Sequence, residues 1–237
     1  MKATIVRAVT TAPSGTLVVA AIAMLAGLAL CCLGVGQTTA ALVERRAGII
    51  DLDAAIGAAR SPQDTQAAIA RLEQADFWWN DPGNSFKQGV LLMRLVLHPR
   101  GDGFDHDLLK AAETRFARSL AGDPADARTW AALANVRLLD RGSSPAAADA
   151  LALSMELARF EPSLLAWRCE MGLAMVDGLD AGRKAALAEQ IRMLERYSVS
   201  DLVRIARASG RIAAVIAALG NDNSALRRFQ DALRYVQ

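Results

Sequence analysis

The chain has 237 residues, just over half of them apolar, and a net charge of +2, which is enough material for one domain with an appendage. A charge so mild gives no general pull toward nucleic acid, and none is expected as a partner. The apolar surplus is mostly Ala and Leu with few aromatics, which favours helices and argues against a β-rich core. Of the three cysteines, Cys31 and Cys32 lie in an apolar run, so Cys169 stands alone in the folded part and no intramolecular disulfide forms there.

Leu17 to Val35 is a run without a charge or a proline. As a helix its nineteen residues span roughly 28 Å, close to the ~30 Å thickness of a bilayer's hydrocarbon layer. A soluble core helix is rarely apolar on every face for that length. Residues 17–36 therefore read as a transmembrane helix that contacts the lipid bilayer, behind a short cytoplasmic tail at 1–16. The alternative is a secretory signal peptide. The length favours a retained anchor, whereas small residues at Gly34, Gly36, Thr38 and Ala40 leave room for cleavage. Lys2 and Arg7 precede the run and Arg45 and Arg46 follow it, so orientation rests on the form of the tail, which is that of an N-in anchor. The expected location is a bacterial inner membrane, crossed once, with the C-terminal domain in the periplasm.

A membrane-proximal helical region is expected over 37–104. Thr38 to Arg60 reads as an amphipathic helix, and Ser61-Pro62 starts another that runs to about Ala75. Phe77, Trp78 and Trp79 precede the turn cluster Asn80-Asp81-Pro82-Gly83 and read as an apolar plug beneath that loop; contact with lipid headgroups or a partner is the other reading. Asn84 to Leu97 is the next helix, broken at His98-Pro99. Helices then follow over 110–121, 128–139, 146–160, 164–176, 181–197, 200–210 and 212–219, and a last one carries the stripe Leu226, Phe229, Leu233 and Val236.

From 105 to 237 the helices show repeated spacing. Ala112, Phe116 and Ser119 precede Pro124; Trp130, Leu133 and Ala134 follow it; Ala150 and Pro162 close a second unit. Large residues fill the gap between paired helices and small ones let backbones approach. Ala225, Phe229 and Ala232 repeat the first spacing. This pattern resembles tetratricopeptide repeats, over about 105–164 well and 206–237 in part. The departures are Arg137 in place of an aromatic, Ser154 where Phe116 has its counterpart, Trp167 one residue early and Glu170 at an apolar position. The resemblance implies an all-α fold, a transmembrane helix followed by an α-solenoid of tetratricopeptide-like hairpins. It assigns packing roles to Ala112, Phe116, Pro124, Trp130, Leu133, Ala134, Ala150, Pro162, Trp167 and Phe229. More loosely, the membrane span followed by Glu161-Pro162-Ser163-Leu164-Leu165 and Met171-Gly172-Leu173-Ala174 is similar in layout to anchored helical proteins of bacterial surface-polysaccharide clusters.

His98, Asp102, Asp105 and His106 suit zinc in type, but their spacing is no known ligand frame and their glycines and proline mark a solvated loop. There is no phosphate loop, no Ser/His/Asp order and no CxxC, so neither catalysis nor a cofactor or metal is expected. Residues 183–237 carry ten basic and five acidic side chains. Arg192 with Arg196, and Arg227 with Arg234, share helix faces and are candidate contacts for an acidic glycan, an anionic lipid or an acidic partner. The expectation is a membrane-anchored adaptor that binds other envelope proteins in cell-surface polysaccharide assembly or export. The alternative is an accessory subunit of a membrane enzyme complex, contacting it through the span, where Ala20, Ala21, Gly27 and Gly34 permit close packing.

Overall fold

The computed structural model describes residues 61–78, 81–97, 104–220 and 222–235, and separate residues between 22 and 38. From residue 61 onward these form α1 (Pro62–Trp78), α2 (Pro82–Val96), α3 (His106–Gly122), α4 (Ala127–Arg141), α5 (Pro145–Leu157), α6 (Pro162–Ala174), α7 (Ala181–Tyr197), α8 (Val199–Ala208), α9 (Ile212–Leu219) and α10 (Asn223–Tyr235), with one 3₁₀ turn at Val176–Gly178. Among the described residues there is no strand, and the fold is all-α.

Short polar residues set where the helices begin. Asp81, Asp105, Asp126, Ser144, Asp180 and Ser198 each accept a backbone N–H from the first turn of the helix they precede. Ser61 and Asp64 close a reciprocal cap at the head of α1. Prolines at 62, 82, 145 and 162 occupy first-turn positions, where a missing N–H costs nothing. Asp105 starts α3 four residues before the expected Lys110, because its carboxylate satisfies the amides of Asp107 and Leu108. At the other ends, Gly142 and Gly220 close α4 and α9 with φ of 67° and 58°, a conformation that needs no Cβ.

Each helix packs on the next, and every second helix also touches its counterpart: α2 meets α4, α4 meets α6, α6 meets α8, and α8 meets α10. The even-numbered helices thus form one row. Of the odd-numbered helices, α5 meets α7 and α7 meets α9. One core runs through the packing from Phe86 and Val96 on α2 to Ala225 and Phe229 on α10. It crosses the boundary expected between 37–104 and 105–237, since Phe86 and Phe116 are in ring contact at 5.8 Å. A second, small cluster of Ala68, Leu72 and Leu91 holds α1 on α2. At one close approach, Gly89 faces Phe116: a Cβ there would stand 2.5 Å from the ring.

Among the described residues no helix is long and apolar enough to cross a membrane. The span expected at 17–36 lies largely outside them; Ile22, Met24, Leu25, Leu30 and Val35 are described, helical and exposed. The helix expected over 38–60 likewise lies outside the described residues, apart from Thr38. Phe77 and Trp78 do not form the expected plug, and Trp79 lies outside the described residues. Phe77 is 83% exposed and Trp78 47%, because the inward face of α1 at Ala68, Leu72 and Ala75 leaves both on its outer side.

Trp130 is half-buried rather than sealed in a junction, and its indole N–H donates to the Pro124 carbonyl at 2.9 Å. The side chain sealed between helices is Phe116, 1% exposed. Truncating Phe116 to Ala should therefore cost about 3–5 kcal/mol, and Trp130→Ala only about 1–3 kcal/mol. Gly89→Ala, which overpacks the same contact, should cost roughly 1–3 kcal/mol. Urea melts of the full chain give the order; equal losses for Phe116→Ala and Trp130→Ala would contradict it.

Candidate functional site

The row of even-numbered helices leaves a groove of about 620 Å³ on one side. One wall is the outer face of α2: Phe86, Val90, Met93 and Arg94, with Leu97 just beyond its end. These residues recur at helical spacing, so a single face of α2 supplies them. Arg128, Ala132 and Asn135 of α4 form the floor with Phe116 behind, and Ser163, Leu164 and Trp167 of α6 form the far wall. Ala132 is the small residue that keeps the floor deep. The volume is in the range that holds a drug-sized ligand or a few side chains of a partner.

The lining is apolar with four polar points: Arg94, Arg128, Asn135 and Ser163. Among the described residues it contains no acidic one. Arg128 stands with its guanidinium carbon 4.8 Å above the centre of the Phe86 ring, in cation–π geometry, and makes no ion pair among the described residues. A positive charge held flat over an aromatic at the rim of an apolar groove favours a partner that brings apolar side chains and a carboxylate.

The far wall depends on an interaction that repeat spacing does not show. Arg168 is wholly buried in α6 and donates to Ser154 Oγ (3.0 Å), to the Ser154 carbonyl (2.5 Å) and to the Ala158 carbonyl (2.7 Å). Ser154 Oγ in turn donates to the Ala127 carbonyl at the head of α4, at 2.6 Å. Three helices meet in one set of hydrogen bonds. The two carbonyls lie at the C-terminal end of α5, where peptide groups lack helical donors and the helix dipole is negative. Burial draws the guanidinium's pKa below its ordinary value, and the charge of Glu161 works the other way. The group stays protonated, as arginine does in proteins.

The remaining expected residues have the following places. Ala112, Leu133, Ala134, Ala150 and Phe229 are buried in the core, whereas Pro124 is exposed and Pro162 half-buried at the head of α6. Trp167 lines the groove. Arg192 is not free for a partner: it donates to the Ala218 carbonyl at the C-terminal end of α9, at 2.8 Å. Arg196, Arg227 and Arg234 are exposed, Arg227 bonding back to the Asn223 carbonyl of its own helix. Between them lies Arg228, a fork onto the buried Glu195 at 2.7 and 2.9 Å that ties α10 to α7. Its signal was a Glu and an Arg on different helices, which no local spacing reveals.

Of the His98–His106 group, His98 and Asp102 lie outside the described residues. Asp105 caps α3, and His106 Nδ1 lies 2.8 Å from Asp140 Oδ1. That hydrogen bond, with Arg141 adding to it, holds the Asp140 carboxyl below the usual carboxylate range. Cys169 is sealed in the core, where burial pushes its thiol up to about 12, so it carries no thiolate at neutral pH.

No protein family, curated protein or solved structure matches this chain in comparison.

Because Arg128 is exposed and, among the described residues, its guanidinium meets only the Phe86 ring, Arg128→Ala should lower stability by no more than about 1 kcal/mol. A urea melt of the full chain checks this; a loss as large as that of Phe116→Ala would make Arg128 part of the fold's support and not a free rim charge.

Proposed function

We propose that this chain is a membrane-anchored adaptor whose helices form a tetratricopeptide-like solenoid, and that its groove holds a segment of another envelope protein. The observation that carries the reading is the groove between α2, α4 and α6, apolar on its walls, with Arg128 poised over Phe86 and no acid among the described residues of its lining. The alternating contacts of even-numbered helices support the solenoid reading, since stacked hairpins place one helix of each pair in a common row. The apolar run at 17–35 supports the anchor. Assignment to cell-surface polysaccharide assembly or export rests on the likeness of layout alone. The groove's partner is an apolar segment carrying a carboxylate, because a buried apolar anchor supplies affinity and a matched charge sets the register.

A photo-crosslinking phenylalanine analogue placed at Trp167 in the full chain, irradiated in native membranes, should form a protein adduct. The same analogue at Leu153, exposed on α5, should form none. Adding Arg128→Glu should cut the Trp167-site adduct about tenfold, the effect of losing ~1.4 kcal/mol of affinity. Equal adducts from both positions, or an adduct unaffected by the charge reversal, would contradict the assignment.

A further inference from the structure

Phe77 and Trp78 stand apart from every interaction described so far. Phe77 is the most exposed of the large apolar side chains among the described residues, and Trp78, 47% exposed, meets it edge to face with ring centroids 5.6 Å apart. Trp79 follows in sequence, so three of the chain's twelve aromatic residues occupy successive positions. Leaving two such rings in water forgoes the ~25 cal/mol gained for each Å² of apolar surface covered. We propose that the Phe77–Trp78 end of α1 rests in the interfacial layer of the lipid bilayer, a second contact that orients the helical domain on the membrane. This rests on the anchor reading above.

Three observations choose the bilayer over other occupants. The apolar run ends at Val35 and α1 begins at Pro62; the 26 residues between them reach at most about 90 Å when fully extended, so α1 never leaves the neighbourhood of the membrane. The patch is also small. Two aromatic side chains offer at most roughly 300–500 Å², short of the ~800 Å² that each partner contributes to a stable protein interface, but a wedge into an adjacent bilayer needs no more than an added foothold. Its chemistry fits too, since an indole presents an apolar body and one N–H donor, the combination that settles at headgroup level.

The charges around the patch define the kind of surface. Glu73 pairs with Arg115, Asp76 accepts from Gln88 at 2.8 Å, and Asp81 caps α2. Toward this end α1 carries Arg71 against Glu73 and Asp76, so no basic patch draws anionic headgroups. The contact is with zwitterionic lipid, driven by apolar burial and insensitive to salt.

The test uses the full chain in phosphatidylcholine vesicles, with and without bromine at the upper acyl carbons, a short-range quencher of tryptophan. Flotation after an alkaline wash first reports whether the chain is anchored. Quenching of Trp78, one of four tryptophans, should remove up to about a quarter of the emission, at low and high salt alike. Phe77→Ser/Trp78→Ser should float as well as the parent, melt like it, and show at least a twofold smaller drop. A parent that floats but shows no quenching, or a drop unchanged in the variant, overturns the contact while leaving the anchor intact. A chain that fails to float overturns the anchor, and the contact with it.

Discussion

A buried guanidinium that makes no ion pair among the described residues sets the geometry at the centre of this protein. Placing a charge away from water is costly unless its polar atoms find partners; here each guanidinium nitrogen has an acceptor. Arg168 meets that demand with Ser154 and the carbonyls that end α5. The helix has no glycine to turn its last carbonyls back on themselves, as Gly142 does for α4. The arginine does this for it, and its positive charge matches the negative end of the helix. Ser154 then passes the constraint to the Ala127 carbonyl of α4. The angle between α4 and α6 follows from these contacts, and so does the distance between the floor of the groove and its far wall.

The near wall is set differently, by apolar packing. Gly89 lets the Phe116 ring lie against the backbone of α2, which brings Phe86 forward to meet the Arg128 guanidinium. The two walls thus answer to different physics. The apolar contact is non-directional and tolerates small shifts. The hydrogen-bonded junction is directional, because a planar fork with fixed N–H vectors leaves little freedom.

Most helix ends were legible in the sequence, because Ser, Asp, Pro and Gly act within one turn of where they stand. The bounds of α7 and α9 match the expectation to the residue, and α3 starts four residues early, where Asp105 was passed over as a cap, and ends one residue late. What stayed hidden was whatever joins residues far apart in the chain. Ser154 looked like a departure from repeat spacing; in the structure it receives a hydrogen bond from Arg168, fourteen positions later. Arg192 looked like a surface charge and is the cap of α9, 26 positions on. Phe77 and Trp78 misled for a different reason: aromatic content says that a ring should be covered, but only the helix phase says which side it is on. The groove could not be read at all, since its lining comes from four helices whose order in space the sequence does not print.

The most direct measurement of the central junction is native-state hydrogen exchange on the full chain, comparing the parent with Arg168→Ala. If Arg168 joins α4, α5 and α6, its loss leaves the Ser154 and Ala158 carbonyls without donors. Amides in the last turn of α5 and the first turns of α4 and α6 should then exchange at least about tenfold faster, the effect of removing upward of ~1.4 kcal/mol of local stability. Amides of α9 and α10 should keep the parent's rates. Exchange that is unchanged around the junction, or that rises uniformly through all the helices, would contradict the account.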